Sequence, residues 1–289
     1  MNEDKPLEFT GERFTPECVR EIWYEHYHRY AFAKNLVKGK KVLDAACGEG
    51  YGSHLLSKYA SKVTGLDIDK QSIEHANNKY KTSNLSFVEG SCSQLPFADG
   101  NFDVVVSFET LEHLEQQAEM LEEFKRVLTK DGILIISTPD KQHYSDATGF
   151  VNEYHVKELY KQEFKDLLNQ HWQQQVWYAQ AMTFNSVLEK IDSTDHNYST
   201  DILNGELLET NRAFLTPIYY LVIASVNTKP DLPDLHLFAD KEQTVYEHYN
   251  KTIKDYIYLA NKHNDLVKQH EKWLSIPILG KIIQFLAKR

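Results

Sequence analysis

The chain has 289 residues, 42% hydrophobic and 26% charged, the balance of a globular protein with room for one large domain and an appendage. A net charge of −10 excludes a broad nucleic-acid-binding face and leaves room only for a local basic patch. Cys18, Cys47 and Cys92 have neither metal nor redox spacing, no apolar run approaches the ~20 residues that span a bilayer, and the polar start Met1-Asn2-Glu3-Asp4-Lys5 has no apolar core behind it, so a cytoplasmic protein is expected.

Residues 1–35 read as an N-terminal segment, irregular through Thr10–Pro16 and then helical over Glu21–Ala33. The aromatics of that helix are too dense for one tidy stripe. Tyr24, His28, Arg29 and Tyr30 are candidates for touching a ligand, with packing onto the domain as the equal alternative. Val42 and Leu43 end a buried parallel strand, and Ser53-His54-Leu55-Leu56 opens a helix. Between them Gly48, Gly50 and Gly52 fall on alternate positions, and a strand, a glycine turn and a helix N-terminus form a nucleotide-binding corner. Ser53 stands where a dinucleotide fingerprint needs its third glycine. Asp44 precedes the turn, badly placed for a pyrophosphate and well placed for an amino-acid ammonium. Asp67 closes the second strand, Val63–Asp69, where an acid accepts from ribose hydroxyls.

Further elements follow in alternation: a helix over Lys70–Lys81, strands over Leu85–Glu89 and Phe102–Phe108, a helix over Leu114–Leu128, and a turn at Asp131-Gly132. Next come a strand over Ile133–Ser137, a helix from about Val156 to Gln170, a strand at Val176–Tyr178 and a last strand at Ile218–Ser225. This is the order of an α/β doubly wound sheet, with residues 36–227 as its domain and a polar insertion at about 181–216.

The stretch Val42–Ser53 with Asp67 in register resembles motif I of the class I S-adenosylmethionine-dependent methyltransferases, with Ala46 where the family usually has glycine. The resemblance covers roughly residues 9–227 and implies a Rossmann-like sheet of seven strands, the last antiparallel, with S-adenosylmethionine as cofactor. It implies that the segment before the first strand caps the cofactor pocket. It assigns the cofactor to Tyr30, Asp44, Ala46, Gly48, Gly50, Asp67, Ile68 and Phe108, with Ser91 and Cys92 at the adenine. Ser91 stands where an acid is common.

Past the fourth strand lies Glu109-Thr110-Leu111-Glu112-His113. If helical, Glu109, Glu112 and His113 share a face at i, i+3 and i+4, and two carboxylates with an imidazole suit a divalent cation. The pattern resembles the small-RNA 3′-terminal ribose methyltransferases, which implies metal ligands at Glu109, Glu112, His113 and His155, magnesium or manganese gripping vicinal hydroxyls, and His113 as general base. Lining a pocket or capping a turn is the alternative. His143 and Tyr144 are weaker candidates that a surface loop explains equally well.

Residues 228–289 read as a proline-broken linker, a helix and a tail. Val245, Tyr249, Tyr256, Ala260, His263, Val267, His270 and Leu274 approach a seven-residue repeat, which suits a partner helix or docking on the protein's own domain. The tail from Ile278 has an apolar face and basic Lys281, Lys288 and Arg289, which suits an anionic membrane at the inner face of the cell, an oligomer or intramolecular packing. Thr10-Gly11-Glu12-Arg13-Phe14, His28-Arg29-Tyr30, Ser137-Thr138-Pro139-Asp140 and His155–Leu159 resemble methyltransferases of bacterial surface-polysaccharide (O-antigen-type) synthesis. That implies methylation of a glycan hydroxyl, ending a chain, with a sugar substrate and a glycosyltransferase or membrane as partners. RNA ribose or quinone methylation, and a non-catalytic scaffold for a glycosyltransferase, are the competing readings.

Overall fold

The computed structural model describes residues 15–16, 21–183, 201–204, 207–210, 215–227, 230–277, 281 and 285–286. It divides into two units, Met1–Phe238 and Ala239–Arg289. Most of the tail and most of the 181–216 insertion lie outside the described residues.

The first unit opens on α1 (Glu21–Ala33), then β1 (Lys41–Ala45), α2 (Tyr51–Ser57), β2 (Lys62–Asp67), α3 (Lys70–Lys79), β3 (Leu85–Glu89) and β4 (Phe102–Phe108). It continues with α4 (Gln117–Val127), β5 (Leu128–Pro139), α5 (Lys161–Asn169) and β6 (Gln174–Gln180). The insertion contributes a separate antiparallel hairpin, β7 (Asp201–Asn204) with β8 (Leu207–Thr210), and β9 (Tyr219–Ser225) returns to the main sheet. The sheet has seven strands in the order β3-β2-β1-β4-β5-β9-β6, all parallel except β9, which runs antiparallel to both β5 and β6. The strand order reverses between β1 and β4, and open α/β sheets bind ligands in the crevice beyond the carboxyl ends of such a pair.

Alternation along the strands sends side chains to two cores. Leu43, Val105, Leu134 and Val222 pack with Met120, Leu121 and Phe124 of α4 and Phe164 and Leu168 of α5. Val42, Val104, Val106 and Ile135 face the opposite side, against Phe32 and Ala33 of α1 and Leu56 of α2. Near-continuous apolar strands are what a sheet covered on both faces requires.

Three local expectations are corrected. Asp131-Gly132 is no turn but lies within β5, and a register shift between Phe102 and Val104 absorbs the irregularity. The helix expected from Leu114 begins at Gln117. The helix expected from Val156 begins at Lys161, because the Val156 and Lys157 amides donate to the Glu112 carbonyl, each at 2.9 Å, and the Glu163 carboxylate accepts from the Tyr160 amide at 2.9 Å. A tertiary tie thus holds the segment extended until a capping acid starts the helix.

The stretch Pro230–Phe238 belongs to the first unit: His236 stacks on His28, and Phe238 packs against Tyr24 and His28 of α1. The second unit is dominated by α6 (Thr244–Leu274), a 31-residue helix with no buried residue. Among the described residues no helix is long and apolar enough to cross a membrane.

Candidate active site

A cavity of about 620 Å³ opens at the carboxyl ends of β1 and β4. Its volume is in the range of small-molecule sites. The turn after β1 supplies one wall. Ala46 and Gly48 have φ of 59° and 54°, and Gly50 has φ 91°, so the chain turns through the left-handed region three times in five residues. Ala46 bears a Cβ strain there that a glycine would not. Gly52 is required for another reason: a Cβ on it would lie 2.0 Å from the Tyr30 ring.

Tyr30 therefore lies flat on the start of α2, and its hydroxyl reaches the Asp44 carboxylate at 3.3 Å, where Ser53 Oγ also donates at 2.6 Å. Asp44 is fully buried, and burial, reinforced by the Asp67 charge, pushes its pKa up to about 7 despite those two donors. Asp67 accepts from the Gly48 amide at 2.8 Å and from the Asp69 amide at 2.9 Å, which orients its carboxylate at the cavity wall.

Of the sequence-derived cofactor residues, Tyr30, Ala46, Gly48, Asp67, Ile68, Ser91, Cys92 and Phe108 line the cavity. Asp44 and Gly50 lie behind the wall, Asp44 under Tyr30 and Ser53, and Gly50 against Ala76 and Phe87. The acid expected to meet the ligand's ammonium thus touches the wall through Tyr30.

The opposite wall holds the acids and imidazoles. The segment after β4 is not an α-helix. Glu109 takes φ 50°, and only Leu111–His113 form a single 3-10 turn, so Glu109 does not share a helical face with the other two. Its carboxylate turns to Ser137 Oγ at 2.6 Å and lies 3.6 Å from the buried Arg29 guanidinium. Glu112, His113 and His155 do come together, with one donor atom from each within 4.8 Å of the others. Glu109 lines the same cavity outside that group.

Glu112 is fully buried, with Oε2 accepting from Thr138 Oγ1 at 2.8 Å and Oε1 without a hydrogen-bond partner among the described residues. Burial, then the neighbouring Glu109 charge, holds its carboxyl well above the usual range. His113 Nδ1 donates to the Tyr154 carbonyl at 3.0 Å, and its Nε2 lies 3.8 Å from Glu112 Oε1. His155 Nδ1 meets the Glu158 carboxylate at 2.5 Å. Each ring is thus held through Nδ1 by a partner outside the group, the arrangement by which outer contacts orient an imidazole.

Residues that sequence reasoning missed or ranked low complete the wall: Ile22, His26, Phe150, Asn152, Tyr144 and Tyr219. Tyr219 opens a strand distant in sequence, and no local pattern marks it. Arg29 had a legible signal, a cation inside an aromatic helix. It lies over the Tyr219 ring at 4.4 Å and donates to Gln180 at 2.8 Å.

Residues 43–136 match a family model described as a methyltransferase domain. A Mycolicibacterium smegmatis protein named as an S-adenosylmethionine-dependent methyltransferase is 34% identical over 165 residues, 56% of this chain and 63% of that protein. A fatty-acid O-methyltransferase of the same species is 36% identical over 112 residues, 38% of this chain and 40% of its own length. The first of these matches thus spans about three-fifths of its relative's length. Among solved structures, a chain of the complex between the Haloferax volcanii Trm112 methyltransferase activator and a methyltransferase superposes with a TM-score of 0.53 at 20% identity, over 70% of this chain and 90% of that one, a likeness of fold. The glycine turn after β1 and the acid that closes β2 both lie inside the stretch that is similar to a methyltransferase domain.

Proposed function

We propose that this protein transfers a methyl group from S-adenosylmethionine to a hydroxyl of a sugar in a bacterial glycan, ending the chain. The observation that carries the reading is the convergence of Glu112, His113 and His155 on the cavity that the cofactor turn also lines. The relative named as a fatty-acid O-methyltransferase supports an oxygen acceptor. S-adenosylmethionine supplies the electrophilic methyl. Asp67 would accept from its ribose hydroxyls, Ile68, Ser91 and Cys92 would flank its adenine, and Tyr30, oriented by Asp44, would meet its amino-acid end.

The donor set fits a divalent cation. Glu112 Oε1 is buried and has no hydrogen-bond partner among the described residues, and both imidazoles are held at Nδ1 by groups outside the trio. Glu112, His113 and His155 would hold the ion, whose chemistry is to lower the pKa of neighbouring hydroxyls and orient them. One carboxylate with two imidazoles favours manganese over magnesium, which prefers oxygen ligands. Without an ion, His113 takes the acceptor proton on Nε2 as general base, a role supported by its Nδ1 bond to Tyr154.

The test is transfer of labelled methyl to candidate glycans, with and without chelator. His113→Ala is expected to lower kcat by about 10²–10⁴-fold. Loss of turnover on chelation with recovery on manganese supports the metal. Unchanged turnover removes the metal and leaves the base. Cofactor binding with no turnover on glycans, RNA or phenols would favour a non-catalytic scaffold and sink the proposal. The exposed α6 and the basic tail support a glycosyltransferase, a second copy of the chain or the inner face of the cell membrane as partner.

A further inference from the structure

We infer that the acceptor is an amphiphile, with its hydroxylated end at Glu112, His113 and His155 and an alkyl or acyl chain lying over the cavity mouth at Phe150 and Val151. This rests on the hydroxyl-methylation reading above and specifies the other half of the substrate.

The inference begins with an unbroken run of rings. His113 meets His155 edge-on with centroids 4.9 Å apart, and His155 stacks on Tyr144 at 5.4 Å. Tyr144 in turn meets Phe150 edge-on at 5.7 Å and Tyr219 at 5.8 Å. The run leads from the acid and imidazole group out to a ring that lines the cavity and is yet 53% exposed. Ile22, also on the wall, is 39% exposed. Val151 is 84% exposed between Phe150 and Asn152, and Val156, whose amide donates to the Glu112 carbonyl, is 53% exposed.

These apolar groups are held in place. The Gly149 amide donates to the Ser145 carbonyl at 2.8 Å, the Phe150 amide to Thr148 Oγ1 at 3.1 Å, and the Tyr154 amide to Asn152 Oδ1 at 3.1 Å. Gly149, with φ 70°, supplies the left-handed residue that turns Phe150 to the mouth. A tied-down apolar rim continuous with a reaction cavity marks a place that an apolar ligand covers. An oligosaccharide could stack on Tyr144 and Phe150. Ile22, which lines the same cavity, gives a sugar neither a ring nor a hydrogen bond, whereas an alkyl chain uses it together with Phe150.

The probe is a series of vicinal diols, 1,2-butanediol to 1,2-octanediol, titrated calorimetrically into the full chain saturated with S-adenosylhomocysteine. Affinity is expected to rise by about 2–4-fold for each added methylene. Phe150→Ser with Val151→Ser is expected to flatten the rise, and Phe150→Leu to keep it. A flat series in the unaltered protein, undetectable binding at every length, or a rise that survives the double substitution overturns the inference. So does tighter binding of a glucose trisaccharide than of 1,2-octanediol. The measurement reads binding, so failure of methyl transfer would appear in the turnover assay and leave the chain-length slope intact.

Discussion

Asp44 shows how burial can set one carboxyl against the fold as pH rises. Its carboxyl titrates near 7 in the folded chain against an ordinary 3.8. A carboxyl with a raised folded pKa holds its proton more tightly when folded, so its contribution to stability is greatest below about pH 4 and is lost as pH rises through about 7. Asp44→Asn keeps an acceptor for Ser53 and Tyr30 but cannot ionise. Without cofactor, the variant is expected to escape a loss on the order of a few kcal/mol between pH 5 and 8, read as urea midpoints, while binding cofactor more weakly. Parallel pH profiles for the two proteins would refute this account. Ala46 is strained in the opposite sense, by its backbone, at φ 59°. Ala46→Gly relieves a left-handed cost of about 1–2 kcal/mol and adds unfolded-state entropy of about 0.5–1 kcal/mol, so a small net gain in urea midpoint is expected. A lower midpoint would mean that the turn is not strained there.

At the scale of elements, the sequence located α1 and the buried strand β4 to their ends, because density of apolar and aromatic side chains suffices for both. It failed where a partner distant in sequence sets the conformation. The turn at Leu111–His113 is pinned by Val156 and Lys157 donating to Glu112, and spacing alone cannot distinguish one 3-10 turn from a helix start. In α6, Tyr246, Ile253, Ala260, Val267 and Leu274 recur every seven residues along a helix with no buried residue. A sustained seven-residue apolar spacing is the signature of a helix that pairs with another. Self-association of the full chain is expected in sedimentation velocity at micromolar concentration, and Ile253→Asp with Val267→Asp is expected to abolish it. A monomer at all concentrations would exclude a second copy as the partner of α6.

At the scale of the whole molecule, the reversal of strand order between β1 and β4 brings the glycine turn and the acid–imidazole group to one crevice. The corner proposed to hold the cofactor was legible as structure because it is local: a strand, a glycine turn and an acid at the end of the next strand are constrained by backbone geometry. Glu112 and His113 were legible as a pair for the same reason. What only the tertiary structure decided is the company they keep. It brought His155 to them across 42 residues, turned Glu109 away toward Arg29 and Ser137, and ran Tyr144 and Phe150 out to the mouth. Local sequence specifies what a backbone segment can do by itself, whereas the partner of a buried charge or ring is chosen by packing between segments that no short-range pattern connects.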